Sequence, residues 1–76
     1  MTIGPTIRLL RTLRGLSQPA LARATGVSQF QISRIETGLQ PPTADQLAAL
    51  ERAMGVSLAD PRLTQALALL GEVLNL

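Results

Sequence analysis

The sequence predicts an all-α fold, a compact five-helix bundle that forms one domain over residues 1–76. Apolar residues recur at spacings of three and four, and glycine, proline and Ser/Thr positions separate these periodic segments. No run of alternating β-branched residues indicates a strand. A chain of 76 residues buries only about 60% of the surface that it exposes when unfolded. Since there is no cysteine to form a disulfide, a second subunit is expected to add stability.

The first predicted helix is defined by a stripe of apolar residues. Ile7, Leu10 and Leu13 recur at a spacing of three, which favours one side of a helix. Pro5 suits a first helical turn, where its missing N–H costs nothing, and Gly15 stands where a left-handed C-terminal cap is usual. We therefore expect this helix to start around Pro5 and to close at Gly15.

Two serines mark the starts of the next two helices. Ser17 is the predicted N-cap of the second helix, which should end at Gly26. Ser28 and Gln31 have the spacing of a capping box at the start of the third helix. Gly38 then ends that helix.

The last two predicted helices also carry start signals. Thr43 and Gln46 repeat the capping-box spacing before a fourth helix that ends at Gly55. Asp60 and Pro61 form an N-cap and N1 pair for a fifth helix, which is expected to run to about Val73.

The predicted fifth helix is more apolar than one core requires. Its apolar residues cover an arc of roughly 160°, against the ~100° stripe that joins a helix to a single core. The segment 61–76 is therefore predicted to be a dimerisation helix. Its interface residues would be Leu63, Leu67, Leu70 and Leu74. The alternatives are extra packing on the first helix or an aggregation-prone tail.

Composition narrows the class of function. All seven basic residues are arginines, and with five acids they give a net charge of +2, a modest bias that permits nucleic-acid binding. The chain has no histidine, cysteine or lysine, which supply most nucleophile–base pairs and zinc ligands. An enzyme, a metal site and a cofactor are therefore not expected. No stretch approaches the ~18 apolar residues of a membrane span, so we expect a cytoplasmic protein without membrane contact.

The segment from Gln18 to Thr37 contains the most specific pattern. Two helices of eight residues are joined by residues 25–28, and so short a connection makes them cross steeply, as in a helix-turn-helix unit. Ala22 is small where the third helix packs over it, and Gly26 supplies a positive φ. The apolar plug between the two helices would be Val27, Ile32 and Ile35.

In this segment the sequence resembles the repressor/Cro-like (XRE) family of helix-turn-helix proteins. The resemblance covers about residues 3–60 and includes the phrases at 14–18, 26–28, 32–36 and 54–57. The matching helix-turn-helix positions are Leu21, Ala22, Gly26, Val27, Ile32 and Ile35. The resemblance implies a lambda repressor-like fold whose third helix docks in the DNA major groove. The chain departs from the family at Pro19, where an acid is common, and in the loop 39–42, which lacks a cation.

The resemblance also implies which side chains would contact bases. Gln29, Phe30 and Arg34 occupy the family's base-reading positions, and Ser33 lies on the same outer side. Glutamine can bond adenine, arginine can bond guanine, and phenylalanine can contact a thymine methyl. The alternative for Gln29 and Arg34 is ordinary solvated surface, and for Phe30 it is core packing or a protein interface.

Contacts to phosphate follow from the same resemblance. Gln18 is similar to the family's phosphate-contacting glutamine at a helix N-terminus, although it could be a plain surface residue. The other predicted phosphate contacts are Arg11, Ser28, Thr37 and Gln40. Gln31 is expected to cap its helix rather than to read a base.

The resemblance further implies a structural ion pair. Glu36 would oppose the helix dipole in the last turn of the third helix, so it needs a compensating partner. By resemblance that partner is Arg11 on the first helix.

The resulting hypothesis is a bacterial or phage-encoded transcriptional regulator, in particular a repressor. It would bind a two-fold symmetric operator in double-stranded DNA as a homodimer, with its two third helices about 34 Å apart. One alternative is an antitoxin that also binds a toxin partner. Another is a helix-turn-helix domain that binds protein and not DNA.

Overall fold

The computed structural model describes residues 3–58, 62–63, 65–66 and 69. The helices described in this part of the chain, in order, are α1 (Gly4–Leu13), α2 (Gln18–Thr25), α3 (Gln29–Glu36) and α4 (Ala44–Met54). The described residues contain no strand, so the all-α prediction is confirmed for them, and four helices are complete within this part of the chain. None of these helices combines the length and the apolarity needed to cross a membrane.

The predicted fifth helix falls largely outside the described residues. Leu67, Leu70 and Leu74 lie there, whereas the described positions between 62 and 69 are helical. Leu63 is partly buried and packs against the core of its own chain. Leu69 is 61% exposed. The fifth helix and the dimer interface on 61–76 therefore remain predictions.

Hydroxyl side chains start three of the four helices. The Oγ of Ser17 and of Ser28 and the Oγ1 of Thr43 each accept a hydrogen bond at 3.1 Å from the backbone N–H three residues later. At Thr43 the capping box is complete, because Gln46 Oε1 accepts the Thr43 N–H at 3.0 Å. At Ser28 the hydroxyl itself donates to Gln31 Oε1 at 3.3 Å. The N-caps predicted at Ser17, Ser28 and Thr43 are confirmed. The capping box predicted at Ser28 and Gln31 is not reciprocal, because the Gln31 side chain accepts from the Ser28 hydroxyl and not from the Ser28 backbone N–H. The N-cap predicted for the fifth helix lies outside the described residues.

The core lies where the four helices meet. It consists of Ile7, Leu10, Leu21, Val27, Ile32, Ile35, Leu50, Met54 and Leu58. Leu13, predicted to share the stripe of the first helix, is instead 52% exposed. Each step of three residues falls about 60° short of a full turn. Two such steps rotate Leu13 about 120° away from Ile7 and out of the core.

Gly4, at the start of α1, permits a close approach that the sequence pattern does not predict. A Cβ atom at this position would lie 2.3 Å from the carbonyl oxygen of Ile35 and 2.7 Å from that of Glu36. Only glycine lets the first turn of α1 lie directly against the end of α3. This contact helps to fix the direction of α3.

Candidate nucleic-acid interface

The connection between α2 and α3 is a tight turn with defined geometry. Gly26 has φ 77° and ψ 0°, and its N–H donates to the carbonyl of Ala22 at 2.9 Å. The next residue, Val27, is buried, and its N–H donates to Thr25 Oγ1 at 3.1 Å. A left-handed glycine followed by a buried valine ends α2 and lets α3 begin within a few residues. The pair α2–α3 is thus the helix-turn-helix unit that the sequence predicted.

Helix α3 has a buried side and an outer side. Ile32 and Ile35 are each only 1% exposed and anchor the helix in the core. The four residues predicted to read bases lie within about 140° of arc on the other side, at 100° per residue. Gln29 and Phe30 are exposed, and Ser33 and Arg34 are half-buried.

Phe30 settles one alternative. Phe30 is 71% exposed. Core packing, one of the alternatives for this residue, is therefore wrong. An aromatic ring in water costs free energy that a partner surface would recover. Phe30 therefore belongs to the outer surface of α3, available to a partner.

Arg34 is held by two neighbours. Its Nε donates to Gln40 Oε1 at 3.3 Å, and its guanidinium carbon lies 5.5 Å from the centroid of the Phe30 ring. The second distance is within the range of a cation–π interaction. Gln40, predicted to contact phosphate, thus contacts the side chain of a predicted base reader.

Glu36 is the centre of a buried polar network behind the outer side of α3. Arg11 Nε donates to Glu36 Oε2 at 2.7 Å, and Arg11 Nη2 donates to Glu36 Oε1 at 3.1 Å. The side chain of Glu36 is 2% exposed and that of Arg11 is 14% exposed. The hydrogen bond that Arg11 donates to the Glu36 carboxylate raises the pKa of Arg11 above its ordinary value, against an opposing effect of burial. A bidentate pair of this kind fixes both position and orientation.

The same network ties α1, α2 and α3 together. Arg11 Nη1 donates to the carbonyl of Leu16 at 2.8 Å, in the connection between α1 and α2. Gln18 Nε2, at the first residue of α2, donates to Glu36 Oε1 at 3.1 Å. The resemblance implied the Arg11–Glu36 pair, but the contact of Gln18 with Glu36 was not anticipated. This contact places the side-chain amide of Gln18 where the start of α2 meets the end of α3.

The remaining predicted phosphate contacts lie at the ends of α3. Ser28 is exposed at the N-cap, and Thr37 is exposed at the C-cap. Thr37 Oγ1 donates to the carbonyls of Ser33 at 2.9 Å and Arg34 at 3.2 Å. The outer side of α3 is therefore bordered at both ends by hydroxyl groups.

Besides the contact of Gln18 with Glu36, two features of this region could not be found by pattern alone. Gly4 precedes Pro5 and reads as an ordinary residue before a helix, so its close contact with α3 left no signal. Gln40 lies six residues after Arg34, beyond helical spacing, in a loop whose path depends on the fold. A glycine next to a proline and a glutamine in a proline-rich loop are too common to be informative.

Comparison with known proteins agrees with this geometry. A family described as helix-turn-helix matches the chain over residues 7–60, which include α2, α3 and α4 completely. No curated protein and no solved structure matches the chain. The matched segment contains the turn at Gly26, the buried isoleucines of α3 and the Arg11–Glu36 pair. The chain therefore belongs to the repressor/Cro-like (XRE) helix-turn-helix family of DNA-binding regulators.

Proposed function

We propose that this protein is a sequence-specific transcriptional repressor that inserts α3 into the DNA major groove. The observation that carries the proposal is the outer side of α3, where Gln29 and Phe30 are exposed beside Arg34 while the opposite side is anchored in the core. A helix held in this way presents its outer side chains to a groove at fixed positions. The family assignment supports DNA as the partner of that surface.

The chemistry of the four outer residues suits base edges. Gln29 can accept from and donate to adenine at N6 and N7, and Arg34 can donate two hydrogen bonds to guanine at O6 and N7. Phe30 offers an apolar surface to a thymine methyl, and the Ser33 hydroxyl can bond to several bases. Each bidentate contact of this kind discriminates against the wrong base by about 1–3 kcal/mol.

Phosphate contacts would set the register of α3 in the groove. Gln18 and Ser28 lie at the N-terminal ends of α2 and α3, where backbone N–H groups and the helix dipole favour an anion. Thr37 would contact phosphate at the other end of α3. Arg11 would add positive charge from its partly buried position, although its nitrogens already bond Glu36 and Leu16.

The proposal includes a homodimer built by residues 61–76. The loop 39–42 carries no cation, so a single chain neutralises few phosphates and should bind weakly. Two linked chains place two α3 helices on successive major grooves, about 34 Å apart, and combine their contacts. The wide apolar arc predicted for 61–76 supports this assembly.

One experiment tests the proposal directly. The full chain is used to select binding sites from a random pool of duplex DNA at low salt, and the selected sequences are aligned. We expect a two-fold symmetric site whose half-sites are one helical turn apart. Recovery of no preferred sequence, together with no retention of duplex DNA at low salt, would overturn the proposal.

A second candidate function is that of a protein-interaction module. It is favoured by Phe30, because a phenylalanine that is 71% exposed is more typical of a protein interface than of a polar groove. In that case the outer side of α3 would bind an apolar site on another protein. The selection experiment separates the two candidates, since an interaction module would show no base preference.

A further inference from the structure

The loop after α3 is hydrogen-bonded both to the backbone and to the side chain of Arg34. The backbone N–H of Leu39 donates to the Arg34 carbonyl at 2.9 Å, and that of Gln40 donates to the same carbonyl at 3.3 Å. The Arg34 side chain then reaches back, with Nε donating to Gln40 Oε1 at 3.3 Å. Arg34 and Gln40 are therefore joined by one hydrogen bond between their backbones and a second between their side chains. This arrangement limits how far the Gln40 amide can move relative to Arg34.

The residues around Gln40 restrict its backbone further. Gln40 precedes Pro41, and the residue before a proline is confined largely to extended conformations. The proline ring fixes φ at Pro41 and again at Pro42. On the other side, Gly38 has φ 79°, which lets the chain turn back sharply after α3. A loop of this composition holds Gln40 in place rather than letting it sample many positions.

Phe30 contacts the guanidinium as well. It lies four residues before Arg34 on α3, the spacing at which side chains of a helix meet, and its ring centroid is 5.5 Å from the guanidinium carbon. The ring and the Gln40 amide both limit the rotamers open to Arg34. Arginine otherwise loses much side-chain freedom when it binds, so a guanidinium held before binding needs less ordering.

The bond to Gln40 also determines which nitrogens are available. Nε is the atom that donates to Gln40, and among the described residues no hydrogen bond is recorded from Nη1 or Nη2 of Arg34. Two terminal N–H groups of one guanidinium match the two acceptors, O6 and N7, on the major-groove edge of guanine. An arginine held through Nε is thus suited to approach guanine with its terminal edge.

We propose that Gln40 is a positioning residue that orients Arg34 for a guanine, so that the loop after α3 helps to set sequence specificity. This inference rests on the proposed function and replaces the phosphate contact first expected of Gln40. A phosphate contact would strengthen binding to every sequence equally. A positioning residue instead acts on the preference at the single base pair that Arg34 reads.

The test compares base preferences and total affinity for matched variants. Gln40→Met keeps the length of the side chain but removes its acceptor, and Gln40→Glu keeps an acceptor. The same change at Gln65, Gln65→Met, is the control, because Gln65 is exposed and its position lies about 170° from the predicted leucine stripe of the dimer interface. We expect Gln40→Met to lower the preference for guanine at the Arg34 position about threefold to tenfold. Affinity for non-specific DNA should stay unchanged. Gln40→Glu should retain the guanine preference, and Gln65→Met should behave as the wild type.

A second measurement tests the contact in the free protein. The Nε–H of Arg34 should exchange slowly with water in the wild type and in Gln40→Glu, as followed by NMR, and faster in Gln40→Met. A melting curve for each variant shows whether the fold is kept. If exchange in Gln40→Met equals that of the wild type, the hydrogen bond does not hold Arg34 and the inference is wrong.

The two proposals fail in different ways. If the wild type selects no sequence, the proposed function fails and the inference fails with it. If the wild type selects a site and Arg34→Ala relaxes one base pair, the proposed function stands. In that case an unchanged preference in Gln40→Met overturns the inference alone. A uniform loss of affinity with preference intact also overturns it and indicates a phosphate contact.

Discussion

Arg11 and Glu36, 25 residues apart in the chain, form a bidentate ion pair whose shorter hydrogen bond is 2.7 Å between Nε and Oε2. The pair joins α1 to the last turn of α3, and the Glu36 side chain is 2% exposed. Removing one member of such a pair leaves the other charge buried without its counter-ion, whereas removing both leaves no charge to solvate. This asymmetry leads to the first prediction.

We predict that Arg11→Met destabilises the protein by about 3 kcal/mol, because it leaves the Glu36 carboxylate buried and without its cation. The double variant Arg11→Met/Glu36→Met should be more stable than Arg11→Met alone. Chemical denaturation of the wild type, both single variants and the double variant gives the four values of a double-mutant cycle. If the effects of the single variants simply add in the double variant, the pair is not coupled as described.

The second prediction concerns Gly4. Helix propensity alone favours alanine over glycine inside a helix by about 1 kcal/mol, so Gly4→Ala would stabilise α1 if the site were open. The Cβ would instead lie 2.3 Å from the Ile35 carbonyl oxygen, and we expect a loss of about 2 kcal/mol from the forced shift. Thermal melting measures the sign of the change.

Gly15 provides the matched control for Gly4. It has φ 69°, but a Cβ there would meet nothing within 4 Å, so its substitution strains the backbone alone. Asparagine tolerates that conformation better than alanine does. Gly15→Asn should therefore be milder than Gly15→Ala, whereas any side chain at Gly4 should destabilise the protein. A Gly4→Ala variant that melts above the wild type would contradict the close contact.

The third prediction separates residues that read bases from residues that hold the protein on DNA. Gln29→Ala and Arg34→Ala should each relax the preference at one base pair of a half-site by about 1–3 kcal/mol. Gln18→Ala should weaken binding to all sequences alike, because phosphate carries no base identity. Arg52→Ala, at an exposed arginine on α4, controls for the loss of one positive charge. The measurement is the selected site of each variant together with its total affinity. Selection of the wild-type site by both Gln29→Ala and Arg34→Ala would exclude α3 as the reader.

The fourth prediction concerns assembly. Replacing both Leu67 and Leu70 by serine should give a monomer in sedimentation and weaken binding to a two-fold symmetric site. Leu69→Ser is the matched control, since position 69 lies about 130° from the predicted leucine stripe and Leu69 is already 61% exposed. A wild-type chain that remains monomeric at micromolar concentration, both free and on DNA, would be inconsistent with the predicted dimer.

Local signals in the sequence were sufficient for the helix starts and for most of the core. The N-caps at Ser17, Ser28 and Thr43 depend on hydrogen bonds between residues three positions apart. The spacing of residue types along the sequence predicts such local contacts. Leu13 was placed wrongly because a spacing of three follows the helical period for one step only. Burial predicted from hydrophobic periodicity is therefore least accurate where the apolar stripe contains only a few residues.

Some parts of the candidate site were not predicted by the sequence pattern. They all depend on contacts between segments that are separated in the sequence. Gly4 meets α3 more than thirty residues later, and Gln18 meets Glu36 eighteen residues later. Gln40 reaches Arg34 through a loop that reverses direction at Gly38. In each case the residue type is common and its role arises only when the helices have packed.

The separation of α3 into a buried and an outer side has a consequence for how such a regulator changes its target. Gln29 and Ser33 lie away from the isoleucines that anchor the helix. Under the proposed function, a duplicated copy of the protein would therefore acquire a new operator by single substitutions at these two positions. Arg34 is different, because its replacement also removes the partner of the Gln40 amide and of the Phe30 ring. Divergence at that base pair should proceed by joint replacement at positions 30, 34 and 40.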